Sequence, residues 1–483
     1  MNMRKTKIVC TVGPATDSDD IMREMMLAGM NVARFNFSHG DYETHRQRYE
    51  QVCRLREELS LPIATLLDTK GPEIRIGKFE NGEHVFLEDG QKYTLTTEDT
   101  VCTSEIASIS FKGLPHDVKK GVSILINDGA VELRVDKVSG SEIYTTVIHG
   151  GELSDNKGIN VPGVELSMPY LSERDMNDLE FGSKMGYDFI AASFVRTGAD
   201  VDYLRKFIKS LGWNTPRIIA KIENMDGVKN IDEIIAASDG IMVARGDMGV
   251  EIPFEQIPAI QKDLIRKGYN AGKQVITATQ MLESMITNVR PTRAEITDVA
   301  NAIYDGTSAI MLSGETAAGK HPVEAVKTMA LIASTTENDI NYIGRFRQRP
   351  EDADKCISNA ISHAACTTAH DLNAKAILTV TKSGGTAKQL SKYRPASPII
   401  SCTPDSTVCR QMNLSWGVIP LLMGEKQTTD ELLDGAVEAA VEAGYLENGN
   451  TVVITAGVPI GIAGNTNMLK VAVVGEHANI DEE

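Results

Sequence analysis

The chain has 483 residues, 42% of them hydrophobic, and a formal net charge of −17. That length exceeds one ordinary core and calls for roughly two to four domains, while the negative field excludes a broad nucleic-acid or anionic-membrane surface, because phosphate is repelled at long range. Any phosphate site therefore has to be local and concave.

The N-terminal stretch MNMRKTKIVC is basic but runs directly into a short strand pattern, without the apolar segment of a signal peptide. No apolar run approaches the roughly 20 residues of a membrane span. Seven cysteines are scattered with no C-x-x-C pair, which fits neither a disulfide framework nor a structural zinc site. The expectation is a reduced, cytoplasmic protein that contacts neither nucleic acid nor membrane.

In chain order, TKIVCTVG (6–13), NVARFNFS (31–38) and PIATLLDTK (62–70) read as strands, with the helical patterns DSDDIMREMMLAG and DYETHRQRYEQVCRLREEL between them. From Pro72 to Met168 the texture changes. Asn81-Gly82, Asp89-Gly90, Asp128-Gly129 and Ser139-Gly140 punctuate alternating runs such as VSILIN and AVELRV, which are hairpin signals. Strand patterns then resume with YDFIAASFV (187–195), RIIAKIE (217–223), GIMVARGD (240–247), QVITATQM (274–281) and SAIMLSGE (308–315), again separated by helical segments. Eight strands, apolar on both faces and alternating with helices, imply parallel β/α units that close into a (β/α)8 TIM barrel over residues 1–71 and 169–345. An open doubly wound sheet is the alternative pattern. Residues 72–168 read as a β-rich lid inserted where barrel active-site loops emerge. The basic, proline-bearing GRFRQRPED (344–352) reads as a junction. Beyond it, DADKCISNAISHAACTTAHDL precedes AKAILTVT, PIISCT, GVIPLL, TVVITAG and MLKVAVVG, a further α/β domain over residues 346–483.

Residues two apart on a strand share a face. On this parity Arg34, Asn36 and Ser38 meet at the end of the second run, Asp68 with Lys70 at the third and Lys221 with Glu223 at the fifth. Arg245 pairs with Asp247, Thr277 with Thr279, and Ser313 with Glu315 at the sixth to eighth. Polar pairs confined to the C-terminal ends of apolar strands mark a barrel mouth, where active sites are built. Glu223 and Asp247 offer hard carboxylate oxygens from adjacent strands with no His or Cys beside them, which suits Mg2+. Lys221, Arg34 and Arg75 supply positive charge able to neutralise a phosphoryl group in transfer. Asn36, Ser38 and Asp68 form a second oxygen-rich cluster with one formal charge, matched to a monovalent cation. Singly, each of these residues reads equally well as a structural ion pair or a cap; their recurrence on several strand ends favours a site.

Three motifs compete for attention. GETAAGKH (314–321) satisfies G-x-x-x-x-G-K but has His321 where a phosphate loop needs a hydroxyl. Arg245-Gly246-Asp247 ends an apolar strand and so makes a poor adhesion signal. Ser383-Gly384-Gly385-Thr386, between a strand and a helix, resembles a backbone anion nest or a plain turn.

The segments MNVARFNFSHGDYETH, LLDTKGPEIRIG, IIAKIENMDGV, IMVARGDMGVEIP, VITATQMLESMITNVRPTRAEITDVANAIYDG and IMLSGETAAGKHPVEAV resemble the pyruvate kinase family over nearly the whole chain. KIEN followed by ARGD and ATQMLESM is the most specific part. The resemblance implies a barrel, a β lid and a C-terminal α/β regulatory domain in the bacterial three-domain form, without the extra phosphohistidine-type domain, usually as a homotetramer. It implies transfer of the phosphoryl group of phosphoenolpyruvate to ADP, giving ATP and pyruvate in the last step of glycolysis.

Position by position, the resemblance makes Glu223 and Asp247 the Mg2+ (or Mn2+) ligands and Lys221 the lysine that bridges the transferring phosphoryl group. Arg34 becomes a phosphate contact. Asn36, Ser38, Asp68 and the carbonyl of Thr69 become the K+ site, with Glu73 as the residue type that accompanies K+ dependence. Gly246, Asp247 and Thr279 fall where substrate is held, and Arg75 falls near the nucleotide phosphates. Ser313 and Glu315 fall in the water network implicated in protonating the enolate, with Thr279 orienting it. TKSGGTAKQLSKYRP (381–395) is similar to the family's effector loop, implying a phosphorylated allosteric effector held by Thr381, Lys382, Ser383, Gly385 and Thr386. TAGVPIGIAGNTN (455–467) falls where that site is closed. Two other functions use the same residues: a metal-dependent barrel enzyme that enolises an oxoacid, and a sugar-phosphate sensor with an inert barrel.

Overall fold

The computed structural model describes residues 3–348, 355–459 and 464–476. The later part of the expected junction and four residues of the 455–467 segment lie outside the described residues. Eight short strands, β1 (Lys7–Thr11), β2 (Val32–Asn36), β3 (Ala64–Asp68), β4 (Phe189–Ala192), β5 (Arg217–Ile222), β6 (Gly240–Ala244), β7 (Gln274–Ala278) and β8 (Ala309–Leu312), pair in parallel and close as β1-β8-β7-β6-β5-β4-β3-β2. The open-sheet alternative is thereby excluded.

Local chemistry starts the outer helices where the sequence signals them. Ser172 with Asp175, Thr197 with Asp200 and Thr292 with Glu295 form reciprocal capping boxes, satisfying N–H groups that a helix start leaves without partners. Inside the barrel, Val9, Val32, Leu66, Ala191, Ile219 and Met242 belong to one fully buried cluster. Their parity is the useful fact, because two residues further along each strand the same inward face carries Thr11, Arg34, Asp68, Ser193 and Lys221.

Two of the expected strand runs pass directly into helix. β6 is paired with β7 only as far as Ala244 opposite Ala278, and beyond that last partner the chain turns into helix α1 (Arg245–Glu251). Likewise β8 gives way to a short helix, α2 (Gly314–Ala317). Arg245 and Asp247 are therefore helical neighbours, not members of one strand face, and Ser313 and Glu315 lie in a cap and a helix. The GETAAGKH segment supplies α2 at the eighth strand end, which is not the first-strand loop of a nucleotide-binding fold.

Between β3 and β4 the chain forms a seven-stranded, largely antiparallel sheet with its own core of Ile, Val and Leu. Ser139-Gly140 joins the hairpin of Val131–Ser139 and Glu142–His149, and Asn127 to Gly129 joins Ser123–Ile126 to Val131–Ser139. The other two signals behave differently. Asn81-Gly82 lies in a 3-10 turn, and Asp89-Gly90 links strands of two separate sheets.

The C-terminal unit is a five-stranded sheet in the order Val418–Leu422, Ile399–Thr403, Ala376–Val380, Thr451–Ala456, Met468–Val473, parallel except at the last strand. Its helices include α3 (Gly385–Lys392) and α4 (Ser406–Met412). This unit closes the N-terminal end of the barrel. Leu414, just after α4, is fully buried in the barrel's interior cluster, while Arg410 pairs with Asp188 at 2.9 Å and Lys7 donates to the Val418 carbonyl at 2.6 Å. With that end plugged, the opposite end is the one left for chemistry. No helix among the described residues is long and apolar enough to cross a membrane.

Candidate active site

At the C-terminal end of the barrel, β2, β3, β4 and β5 bring four inward side chains into contact. Arg34 Nε donates to Asp68 Oδ2 at 2.6 Å and its other nitrogen to Thr11 Oγ1 at 2.9 Å. Lys221 Nζ lies 3.1 Å from Asp68 Oδ1, 2.9 Å from Glu223 Oε1 and 2.8 Å from the Ser193 hydroxyl. All of these groups are buried. Ionic groups out of water are tolerable only when paired, and here each has a partner, which answers why a lysine and a glutamate end an apolar strand.

The charges are unequal. Burial alone would raise the pKa of Asp68, but Arg34 and Lys221 outweigh it and hold the carboxyl below its ordinary range. Burial opposes the charge of Lys221 too, yet Asp68, Glu223 and Asp247 together raise it and keep the ammonium protonated. Glu223 is pushed up to about 8 by burial and by the charge of Asp247, against the pull of Lys221. Two cations, Arg34 and Lys221, thus face three carboxyl groups, and the raised pKa of Glu223 reflects that imbalance.

Asp247, on α1, is exposed on the wall of a cleft of about 300 Å3 between barrel and lid, together with Glu73, Arg75, Phe194 and Asn224. It has no hydrogen-bond or ion-pair partner among the described residues. Its neighbour Gly246 donates its N–H to Thr279 Oγ1 at 2.8 Å, and that hydroxyl in turn donates to the Ala278 carbonyl at 2.6 Å. Thr279 sits at φ +67°, an uncommon conformation for a β-branched residue. Thr277, its expected companion, is fully buried and bonds Thr307 on the barrel's outer side. Arg245 turns away as well, to Asp298 at 2.6 Å and the Thr279 carbonyl at 2.5 Å.

Residues 3–326 match the family described as "Pyruvate kinase, barrel domain", and residues 359–472 match "Pyruvate kinase, alpha/beta domain". The chain belongs to the pyruvate kinase family. It is 50% identical to the pyruvate kinase of Clostridium acetobutylicum over 98% of this chain and 100% of that protein. It is also 50% identical to the pyruvate kinase of Geobacillus stearothermophilus, over 98% of this chain and 81% of that protein. The crystal structure of a pyruvate kinase from Cryptosporidium parvum superposes with a TM-score of 0.92 at 39% identity, covering 97% of this chain and 96% of that one. As a pyruvate kinase family member the chain is a phosphotransferase.

Within this pyruvate kinase fold the remaining expected residues divide. Arg75 is bound through two nitrogens to Glu73, at 2.6 and 2.8 Å, and Lys70 reaches the same carboxylate at 3.4 Å. Asn36 Oδ1 accepts from the Ser38 N–H, and the Thr69 carbonyl accepts from Ser193 at 2.6 Å. Glu315 is buried and accepts backbone N–H groups of Leu282 and Ser313 at 3.0 and 2.7 Å. The Ser313 hydroxyl is buried without a hydrogen-bond partner among the described residues. Neither touches Lys221. In the C-terminal unit Thr381, Lys382 and Thr386 line a cavity of about 280 Å3 closed by Lys426 and Thr466. Ser383 and Gly385 do not; the Ser383 carbonyl instead accepts from Arg217, because the loop turns back toward the barrel.

Sequence parity missed Ser193, Thr11 and the N–H of Phe194, which donates to Glu223 Oε2 at 2.6 Å. The first two have the same inward parity as Lys221 and were legible in principle. They lacked a second polar residue two positions away.

Proposed function

We propose that this enzyme transfers the phosphoryl group of phosphoenolpyruvate to ADP, giving pyruvate and ATP, and that it does so at the Arg34–Asp68–Lys221–Glu223 cluster. The observation that carries this reading is the Lys221 ammonium, enclosed at the barrel mouth and held charged between two carboxylates. A fixed positive charge in a water-poor site is the group that phosphoryl transfer needs, because its catalysis is mostly positioning and charge neutralisation.

No cluster of three or more His, Cys, Asp or Glu among the described residues is arranged to hold a metal ion. The three carboxyl groups set against two cations, with Asp247 the one left without a hydrogen-bond or ion-pair partner among the described residues, nonetheless fit a divalent ion that keeps open positions for substrate oxygens. Glu223 and Asp247 would hold Mg2+ or Mn2+. Asn36, Ser38, Asp68 and the Thr69 carbonyl, all oxygen donors with a single formal charge, would hold K+. When bound, the divalent ion supplies Lewis-acid stabilisation of the charge that develops on the enolate oxygen.

The chain's own groups do the rest. Arg34, fixed by Asp68 and Thr11, presents charge to the phosphoryl oxygens, and Lys221 bridges the group in transfer from its fixed place. Arg75 lies on the cleft side, where nucleotide phosphates would approach. Gly246 and Thr279 shape the place for the substrate carboxylate. The Thr279 hydroxyl is already committed to two backbone groups and is a poor acid, so it orients rather than protonates. Ser313 and Glu315 would order the water that delivers the proton. Closing the lid would exclude water that otherwise hydrolyses the phosphoryl donor.

We further propose a cytoplasmic homotetramer activated by a phosphorylated effector in the cavity lined by Thr381, Lys382 and Thr386, with Ser383 and Gly385 shaping the loop from behind. The test is pyruvate formation from phosphoenolpyruvate and ADP, coupled to lactate dehydrogenase, at saturating Mg2+ and K+ and with a panel of phosphorylated effectors. Robust turnover in the wild type and its loss in Lys221→Met support the reading. Absence of pyruvate in the wild type removes it.

A further inference from the structure

Ser193 follows β4 and is almost fully buried. Its hydroxyl has one proton and three neighbours to serve. It accepts from Lys221 Nζ at 2.8 Å and donates to the Thr69 carbonyl at 2.6 Å, with Asp68 Oδ1 a longer acceptor at 3.3 Å. Its own N–H donates to Thr69 Oγ1 at 3.1 Å. Ser193 and Thr69 are therefore joined twice across neighbouring strand ends, which fixes the orientation of that carbonyl. The next residue fixes the other side of the lysine. Phe194, held at φ +53°, points its N–H at Glu223 Oε2.

The corner has no slack. Gly71, at φ +77°, faces it so closely that an added Cβ would lie 2.8 Å from the Ser193 Cβ and 2.7 Å from the Phe194 ring. An ammonium has three N–H donors, and those of Lys221 are shared among Ser193, Asp68 and Glu223. Once Glu223 is committed to a divalent cation, Ser193 and Asp68 are the two groups left to aim the remaining N–H at a phosphoryl oxygen. The Thr69 carbonyl, meanwhile, is one of the oxygens assigned above to K+.

We infer that Ser193 is a positioning residue, whose hydroxyl both aims Lys221 and ties it to the Thr69 carbonyl, so that the monovalent-cation site and the catalytic lysine are set by one side chain. The inference rests on the proposed function and deepens it. Removing the hydroxyl should leave Lys221 drawn toward the carboxylates and the Thr69 carbonyl free to rotate away from its place.

The experiment compares wild type, Ser193→Ala and Ser193→Cys, the last keeping the volume with a poor donor so that a folded variant is available if the alanine packs badly. Two readouts are taken. In the coupled assay, kcat should fall by about 10- to 100-fold, the worth of a hydrogen bond to a charged group, with KM for ADP nearly unchanged. Without substrate, the rise of melting temperature with KCl, measured against choline chloride at equal ionic strength, should need about 10-fold more K+, as for loss of an outer-shell partner. Variants with wild-type kcat and a wild-type K+ midpoint overturn the inference, and so does a loss of kcat with an unmoved K+ midpoint. If the wild type itself shows neither pyruvate formation nor a K+-specific shift, the underlying functional reading has failed instead.

Discussion

The guanidinium of Arg217 donates to the backbone carbonyl of Ser383 at 2.7 Å, joining the first residue of β5 to the loop that precedes α3. The same strand carries Lys221 near its other end, with Glu223 directly after it. Arg217 also bonds Gln411 at 3.1 Å and reaches Asp239 at 3.5 Å, so both sides of the joint are fixed. A ligand that tightens the loop of residues 381–386 therefore has a mechanical route to the catalytic strand, provided the two arrangements differ in energy.

Arg217→Met breaks that route without touching the cleft. The expected outcome is a basal kcat within about threefold of wild type and an effector response, the shift in half-saturating phosphoenolpyruvate, reduced to about twofold or less. Couplings of this kind are otherwise about 5- to 150-fold. Saturation curves with and without the effector measure it, and an unaltered shift rejects the route.

Lys221→Met leaves Asp68 and Glu223 buried with one cation, Arg34, in place of two. Breaking a buried pair costs about 3–5 kcal/mol, and turnover should drop by about a thousandfold or more, the scale of losing a main electrostatic group. In the folded state the pKa of Glu223 then rises further, and that of Asp68 rises from its depressed value because one of the two cations that lowered it is gone. A raised carboxyl is stabilising relative to its ionised form only while protonated, so stability is lost as pH climbs toward the folded pKa. The gap in melting temperature between variant and wild type should be smaller at pH 5 than at pH 8. An equal gap at both would show that the lysine is not neutralising those carboxylates.

The barrel was legible because its strands are apolar on both faces and its helices begin at capping boxes that need no tertiary information. The lid and the C-terminal sheet followed from turn signals and strand runs. The site was legible only where the chain stays in the strand. Arg34, Asp68, Lys221 and Glu223 obey parity because each lies in a strand or directly after it. Parity gave the wrong geometry for Arg245 and Asp247, because the ladder ends at Ala244 and the next turn is helical. It failed for Thr277, whose face is the outer one, since Ile276 and Ala278 fill the barrel. Where a strand ends is decided by its neighbour's length, and that is a tertiary fact absent from any local pattern.

Glu73 is gripped by Arg75 and Lys70. Glu73→Lys places an ammonium beside two other cations at the mouth of the cleft. It should partly supply the charge that K+ brings and release Arg75 toward nucleotide phosphates. The expected result is substantial activity without K+, at a cost in KM for ADP from the displaced Arg75. Assays in K+-free tetramethylammonium buffer decide it, and a variant as dependent on K+ as the wild type counts against the assignment.

The seam between barrel and C-terminal unit holds a lysine in an unfavourable place. Lys388, on α3, has no hydrogen-bond or ion-pair partner among the described residues, and its field includes Arg217 and Lys273. The nearby carboxylate, Asp239, is already occupied by the Ile218 N–H, Arg205 and Arg217. Burial first, then the charge of Arg217, lowers its pKa to about 7. The unfolded chain keeps an ordinary lysine near 10.4, so between about pH 7 and 10 the unfolded state binds more protons and stability rises with pH. Below about pH 7 the whole penalty is present. Lys7, lowered to about 7 in the same seam by burial and Arg4, adds to the same trend. Lys388→Met removes the charge while keeping the aliphatic stem, so it should melt higher than wild type at pH 6, by about 2 °C or more if about 1 kcal/mol is recovered. The advantage should shrink toward pH 10, where the native lysine is neutral anyway. Melting curves at fixed KCl across that range test it, and a variant less stable at pH 6 would mean that Lys388 has a compensating partner in solution.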